Sequence, residues 1–318
     1  MIDPLERWRS HGEKPDFAGL LTYGGQPYTE DPAELAGADV AIVGAPTDDL
    51  VSDRPGTRYG PRAIRAASFP PGSHLEAGVD ALAELRVVDF GDAPVLPADA
   101  VATHRAIEDT VSAVVAAGVL PVVLGGDHSI SEPGVRACAA NGPIGLVHFD
   151  THTDTGTEVF GVELSHGTPM FKLVEQGIVD PARYVQIGLR GYWPGEKEFS
   201  WQREYGIRSF FMHDIRERGI KDVVEDAVGG LGEGPVFLTV DIDVLDPAFA
   251  PGTGTPEPGG MTTGDLLWAS REVATRVELA GADVVEVIPT AIGSADITAL
   301  AADRVVREIL TGLALARR

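Results

Sequence analysis

Gly-Leu-Val-His-Phe-Asp-Thr-His-Thr-Asp, residues 145 to 154, joins a strand-forming run to a carboxylate, an imidazole and a second carboxylate. Side chains alternate along a β-strand, so Asp150 and His152 point the same way as the strand runs out. Two further segments share this design. Val-Val-Leu-Gly-Gly-Asp-His-Ser spans residues 122 to 129, and Val-Phe-Leu-Thr-Val-Asp-Ile-Asp-Val-Leu-Asp-Pro spans residues 236 to 247. Ligands bind at the carboxyl ends of strands in a parallel α/β sheet. If all three strands lie in one such sheet, two histidines (His128, His152) and four carboxylates (Asp150, Asp154, Asp241, Asp243) converge at one edge. That much buried negative charge requires cations.

The rest of the chain supports a parallel α/β class. Strand patterns at 39–43, 86–89, 120–124, 144–149, 184–187, 207–212, 236–240 and 283–287 alternate with helical ones near 99–117, 131–140, 214–228, 263–278 and 295–315. Several strand runs are apolar throughout, as strands covered on both faces should be. In the helix near 99–117, Val101, Ile107, Val111, Val114 and Val115 recur at helical spacing and Gly118 stops it. Residues 1–37 are rich in Pro, Gly and charge and read as an irregular amino-terminal arm. Residues 38–318 read as one domain, since no linker-like gap interrupts the alternation. The polar stretch 151–168 is expected to loop over the site.

Composition narrows the function. The 318 residues carry 48 acidic and 25 basic side chains, a net charge of −23. That excess argues against nucleic acid and anionic membrane as partners and suits a cationic substrate. The single cysteine, Cys138, allows neither a disulfide framework nor a thiolate cage. The amino terminus has no apolar signal core and no apolar run is long enough for a bilayer, so the expected location is the cytoplasm. Imidazole and carboxylate without sulfur favour Mn²⁺, with nickel, cobalt and iron as alternatives. Bridging carboxylates would hold two ions about 3.5–4 Å apart, able to activate a shared water. His148 shares a face with Asp150 and reads either as support for it or as a buried structural histidine.

Taken together, Gly125–Ser129, Phe149–Thr155, Ser165–Pro169 and Asp241–Pro247, with Pro-Gly-Thr-Gly-Thr-Pro at 251–256, resemble the ureohydrolase (arginase/agmatinase) family. The resemblance runs from Arg-Pro-Gly-Thr-Arg-Tyr-Gly-Pro at 54–61 to the final helix. That early string and His166-Gly167-Thr168-Pro169 are closer to the agmatinase branch. The resemblance implies a three-layer α/β/α sandwich around an eight-stranded, mainly parallel sheet, assembled into a homotrimer or homohexamer. It implies one Mn²⁺ on His128, Asp150, Asp154 and Asp241, and a second on Asp150, His152, Asp241 and Asp243. His166 would be a proton shuttle, Asp154 would help stabilise the tetrahedral intermediate, and Glu286 would anchor the guanidinium, whose donor fork a carboxylate matches.

The implied reaction is hydrolysis of a linear guanidino compound to an amine and urea. Two departures stand out: Thr151 replaces the usual alanine, and the segment after Glu286 reads Val-Ile-Pro-Thr-Ala-Ile-Gly. Apolar Ile288 and Ile292 predict a pocket wall suited to a longer or less polar chain than agmatine's. The loop 155–164 lacks the Asn and Ser donors an amino-acid head needs and carries Glu158 and Glu163, so arginine is expected to be a poor substrate. 4-Guanidinobutyrate, a larger guanidino metabolite or a formimino compound are alternatives in the same class. The rival class is a catalytically silent, metal-stabilised assembly protein, against which the intact ligand set argues.

Overall fold

A computed structural model describes residues 18–69, 72–193, 195–291 and 296–318. Eight strands form one sheet: β1 (Val40–Ala45), β2 (Val87–Asp92), β3 (Leu120–Gly125), β4 (Ile144–Phe149), β5 (Val179–Leu189), β6 (Arg208–Phe211), β7 (Pro235–Asp241) and β8 (Glu278–Val285). Their order is β2-β1-β3-β8-β7-β4-β5-β6, and every pairing is parallel. The three strands that carry the metal motifs, β3, β7 and β4, therefore sit mid-sheet, separated only by β8 between the first two.

Ten α-helices connect or cover these strands among the described residues: α1 (Gly60–Ala67), α2 (Ala81–Glu84), α3 (Ala100–Ala116), α4 (Ser131–Cys138), α5 (Pro169–Glu175), α6 (Glu196–Tyr205), α7 (Met212–Arg218), α8 (Ile220–Gly229), α9 (Thr263–Arg276) and α10 (Ile297–Ala316). The strands show why both faces need cover. Val40, Ile42, Val122, Leu124, Val147 and Phe149 enter one core with α1, α8, α9 and α10. Ala41, Val43 and Val123 enter a second with α3, while Ile144 and Leu146 enter a third with α4 and α5. Period-two side chains, apolar on both sides, thus bury two helical layers against one sheet.

Several expected boundaries move. The helix pattern at 214–228 is two helices, because Gly219 adopts a φ of 83° that no helix interior allows. Strand β5 starts earlier than 184 although it contains Pro181; its register with β4 shifts between Ile144 and Leu146, and this irregularity leaves the proline outside the paired ladder. Strand β8 begins at Glu278 rather than 283 and stops before Glu286, whose φ of 62° ends the extended backbone. On α3 the position assigned to Val101 is taken by Thr103, and Val101 is exposed. Within the expected arm, residues 18–37 hold two single 3₁₀ turns, and Tyr23 and Leu35 are buried in the main cores. Residues 1–17 lie outside the described residues.

Candidate metal centre and active site

Local chain geometry sets each ligand. After β3 the backbone turns at Gly126, whose N–H donates to the Ala45 carbonyl at 2.9 Å. A Cβ there would lie 2.0 Å from the Thr47 carbonyl oxygen, so only glycine permits this turn. The Asp127 carboxylate accepts from the Ser129 N–H at 3.1 Å and starts a 3₁₀ turn that brings His128 over the strand ends. Strand β7 ends in the same way: Asp241 accepts from the Asp243 N–H at 2.8 Å. Beyond β4, His152 donates its N–H to Asp150 at 2.6 Å, and the Thr151 N–H donates to Asp243 at 3.2 Å.

The six expected ligands converge. His128 Nδ1 lies 3.0 Å from Asp150 Oδ2, 2.8 Å from Asp154 Oδ2 and 3.3 Å from Asp241 Oδ2. His152 Nδ1 lies 3.2 Å from Asp243 Oδ2 and 3.5 Å from Asp150 Oδ1. Thr239 Oγ1 sits 2.9 Å from His128 Nε2 and fixes the ring, leaving Nδ1 facing the carboxylates. Ligand atoms of His128, His148, Asp150 and Asp154 lie within 4.8 Å of one another, and so do those of Asp150, His152 and Asp243. Asp150 belongs to both groups and is placed to bridge. His148 turns out both buried and engaged: its Nε2 is 2.8 Å from Asp150 Oδ2 and its Nδ1 is 3.0 Å from the Tyr184 hydroxyl. Asp246, the third acid of the β7 motif, is a turn residue, its carboxylate accepting from the Ala248, Gly259 and Gly260 N–H groups.

The electrostatics of this cluster ask for cations. Burial pushes the Asp241 carboxyl well above the usual range, and neighbouring Asp243 and Asp150 push it further. Burial also raises Asp243. Asp150 goes the other way: burial alone would raise it, but contacts with His128, His148 and His152 hold it well below. Burial would lower the His128 imidazole, yet Asp150, Asp154 and Asp241 together hold it well above its ordinary value. Despite those short distances, His128 Nδ1 makes no hydrogen bond of acceptable geometry among the described residues. A buried ring nitrogen aimed between carboxylates without bonding any of them fits a shared metal ion, and imidazole with carboxylate is the donor chemistry of Mn²⁺-type sites.

Beside the cluster lies a cavity of about 370 Å³ walled by His152, Asp154, His166, Asp241, Trp193 and Phe160, with Glu158 and Ser52 also at its surface. The stretch 151–168 supplies much of this wall, as expected. Its tip, Phe160-Gly161, takes φ of 52° and 80° within the Val159–Val162 bridge and leaves Phe160 exposed. Ile288 is not a wall residue; its side chain packs where a Gly56 Cβ would lie. Glu163 is exposed and does not line the cavity. Ile292 lies outside the described residues.

His166 Nδ1 is 2.9 Å from Glu286 Oε1, which also accepts the His128 N–H at 2.9 Å. Burial would lower His166, but Glu286 outweighs it and the imidazole rises to about 9. The other oxygen, Glu286 Oε2, is buried with no hydrogen-bond partner among the described residues. Both Glu286 and Asp154 hold left-handed backbone, φ 62° and 49°, uncommon for side chains of this type and typical of functional sites.

Several contributors escaped the sequence. Thr239 and Tyr184 are inward residues of apolar strands, and nothing in their spacing marks them. Trp193 and Ser52 come from loops, where only three-dimensional placement reveals a role.

Comparisons with known proteins bear on this arrangement. The family model described as Arginase family matches residues 38–312. The chain is 43% identical over 281 residues to a guanidinopropionase of Pseudomonas aeruginosa, covering 87% of this chain and 86% of that protein. It is 35% identical to an agmatinase of Bacillus subtilis, covering 91% and 97% respectively. The solved structure of proclavaminate amidino hydrolase from Streptomyces clavuligerus superposes with a TM-score of 0.88 at 34% identity, over 95% of this chain and all of that one. A match spanning nearly the whole sheet, with the His/Asp cluster at its carboxyl edge, makes the chain a member of the arginase (ureohydrolase) family, in its agmatinase-like branch, and a hydrolase of carbon–nitrogen bonds in linear amidines.

Proposed function

We propose that this enzyme hydrolyses a linear guanidino compound lacking an amino-acid head to an amine and urea, with two Mn²⁺ ions as its cofactor. The observation that carries the reading is a carboxylate oxygen, Glu286 Oε2, buried with no hydrogen-bond partner among the described residues, behind the wall residue His166 of a cavity also walled by the candidate ligands His152, Asp154 and Asp241. Unpaired, that oxygen is costly; a guanidinium N–H fork would satisfy it. One ion would be held by His128, Asp150, Asp154 and Asp241, and the other by Asp150, His152, Asp241 and Asp243. Bound there, two divalent cations lower the pKa of water and so supply a nucleophile at neutral pH.

The side chains do the rest. Glu286 orients the guanidinium and so its central carbon, converting a bimolecular encounter into a positioned one. Asp154 reaches both the cavity and His128 and is suited to steady charge as the carbon becomes tetrahedral. His166, protonated at neutral pH beside Glu286, holds the proton the departing amine needs. Trp193 and Phe160 add aromatic surface to the cavity wall.

The tail of the substrate meets Glu158, and among the described residues no lysine or arginine lines the cavity wall. A neutral or cationic tail fits that surface, and a buried, unpaired carboxylate would not. A guanidino acid is the second reading, favoured by the 43% identity to a guanidinopropionase. The deciding measurement is kcat/KM of the Mn²⁺-loaded protein for arginine, agmatine, 3-guanidinopropionate, 4-guanidinobutyrate and a long alkylguanidine. Agmatine or the alkylguanidine is expected to lead and arginine to trail. A lead for either guanidino acid favours the second reading, and arginine in first place overturns both. Trimeric or hexameric assembly and a cytoplasmic location complete the proposal; the first is supported by the family resemblance, and light scattering checks it. The second is consistent with the absence, among the described residues, of any helix long and apolar enough to cross a membrane.

A further inference from the structure

Both ring nitrogens of His166 are already engaged. Nδ1 faces Glu286 Oε1 at 2.9 Å, and Nε2 faces the Ser52 hydroxyl at 2.7 Å and the Ser52 backbone N–H at 3.1 Å. An imidazole nitrogen offers one in-plane hydrogen or lone pair, so neither is left for a substrate. A departing amine can take a proton from His166 directly only by displacing one of these partners. Ser52, by contrast, lines the cavity while its hydroxyl touches Nε2.

We infer that Ser52 is a catalytic residue, relaying the His166 proton to the leaving amine through its hydroxyl; this rests on the amidinohydrolase reading above. As the carbon–nitrogen bond breaks, its electron pair goes to the amine nitrogen, which takes the hydrogen of Ser52 Oγ. Ser52 Oγ in turn takes the hydrogen of His166 Nε2. The serine ends unchanged, His166 ends neutral with its remaining proton on Nδ1 towards Glu286, and no other reactant is consumed. The Ser52 backbone N–H can only donate, so this geometry is that of Nε2 without a hydrogen, the state after the proton has left. In the acid state Nε2 gives up that contact and its hydrogen points at Ser52 Oγ.

The surrounding loop is built to hold the hydroxyl in place. The Leu50 carbonyl accepts the His166 N–H at 3.2 Å, and the Leu50 N–H donates to Asp127 at 3.3 Å. Asp48 closes the far side by accepting the Gly56 N–H at 2.7 Å and pairing with Arg58. The loop 47–57 is thus tied to the segment that carries His166 and to the turn that carries His128.

The test compares wild type, Ser52→Ala and Ser52→Thr, each Mn²⁺-loaded, on two guanidines of matched size. One releases an alkylamine, and the other releases a weakly basic nitroaniline that needs little protonation. Ser52→Ala is expected to lower kcat for the alkylguanidine about 10-fold or more, less than the loss of the acid itself because water can partly stand in. KM and manganese content should stay close to wild type. The deficit should shrink to about 2-fold for the nitroaniline substrate, whose leaving group no longer depends on the relay. Ser52→Thr, which keeps a hydroxyl, should restore most of kcat. Wild-type turnover with no deficit in Ser52→Ala, or an equal deficit on both guanidines, overturns the relay alone. A wild type that releases no urea from either guanidine overturns the functional reading and the relay with it.

Discussion

At the scale of single residues, the site separates side chains that hold charge from side chains that move protons. Asp241 belongs to the first kind. It is buried beside Asp150 and Asp243, and its carboxylate is 3.3 Å from His128 Nδ1. Asp241→Asn keeps the shape and removes one negative charge, so the cluster should no longer retain two cations. Expected outcomes are loss of bound manganese by elemental analysis, loss of detectable urea release, and a far-ultraviolet circular dichroism spectrum like wild type. His166 belongs to the second kind, since it touches Glu286 and Ser52 rather than the ligand cluster. His166→Ala should retain manganese and lose about 10²–10⁴ in kcat, the usual contribution of a positioned acid. Equal metal loss in both variants would show that His166 is a structural part of the metal site.

At the scale of elements, legibility followed the strength of local rules. Strand β4 is Ile144–Phe149, as its apolar run predicts, because a buried parallel strand admits little else. Helix α1 was missed although Gly60-Pro61 places a proline in the first helical turn, a recognised start signal. Its sequence, Gly-Pro-Arg-Ala-Ile-Arg-Ala-Ala, holds one large apolar side chain, Ile64, so no apolar stripe marks it. The left-handed backbone of Glu286 and Asp154 had no signal, since each is imposed by neighbours rather than by its own side chain. The ligand set itself was legible because alternation along a strand fixes which residues share a face.

Helix α3 carries a testable consequence of the same packing. His104 Nε2 lies 2.9 Å from Ser129 Oγ, and burial, aided by Lys172 and Arg136, lowers its imidazole to about 4. An unfolded histidine titrates near 6.5. Between those values the unfolded chain binds a proton that the folded protein refuses, so stability is fully present above about pH 6.5 and is lost as pH falls towards 4. The contribution amounts to about 3 kcal/mol at most. His104→Gln lacks this titration. Its stability relative to wild type, from urea unfolding, should therefore improve by up to about that amount between pH 7 and pH 4. A difference independent of pH would mean that His104 is not desolvated in solution.

At the scale of the whole molecule, metal binding and folding are one equilibrium. The ligands come from the ends of β3, β4 and β7 and from the loop after β4, segments spread over more than a hundred residues from His128 to Asp243 that only the closed sheet assembles. An unfolded chain cannot reproduce the site, so cations bind the native state almost exclusively and stabilise it by mass action. For one ion, each tenfold rise in free Mn²⁺ above its Kd adds about 1.4 kcal/mol; for two it adds about 2.7 kcal/mol. Chelation should accordingly lower Tm. Titrating Mn²⁺ back should raise it along a line in log concentration whose slope, multiplied by the unfolding entropy from calorimetry, counts the ions in steps of about 1.4 kcal/mol. Two is the expected count, because four buried carboxylates, Asp150, Asp154, Asp241 and Asp243, carry more negative charge than a single divalent cation offsets. In Asp241→Asn the slope should vanish, whereas in His166→Ala it should match wild type. A wild-type slope corresponding to one ion would rule out the two-ion site even if urea release were observed.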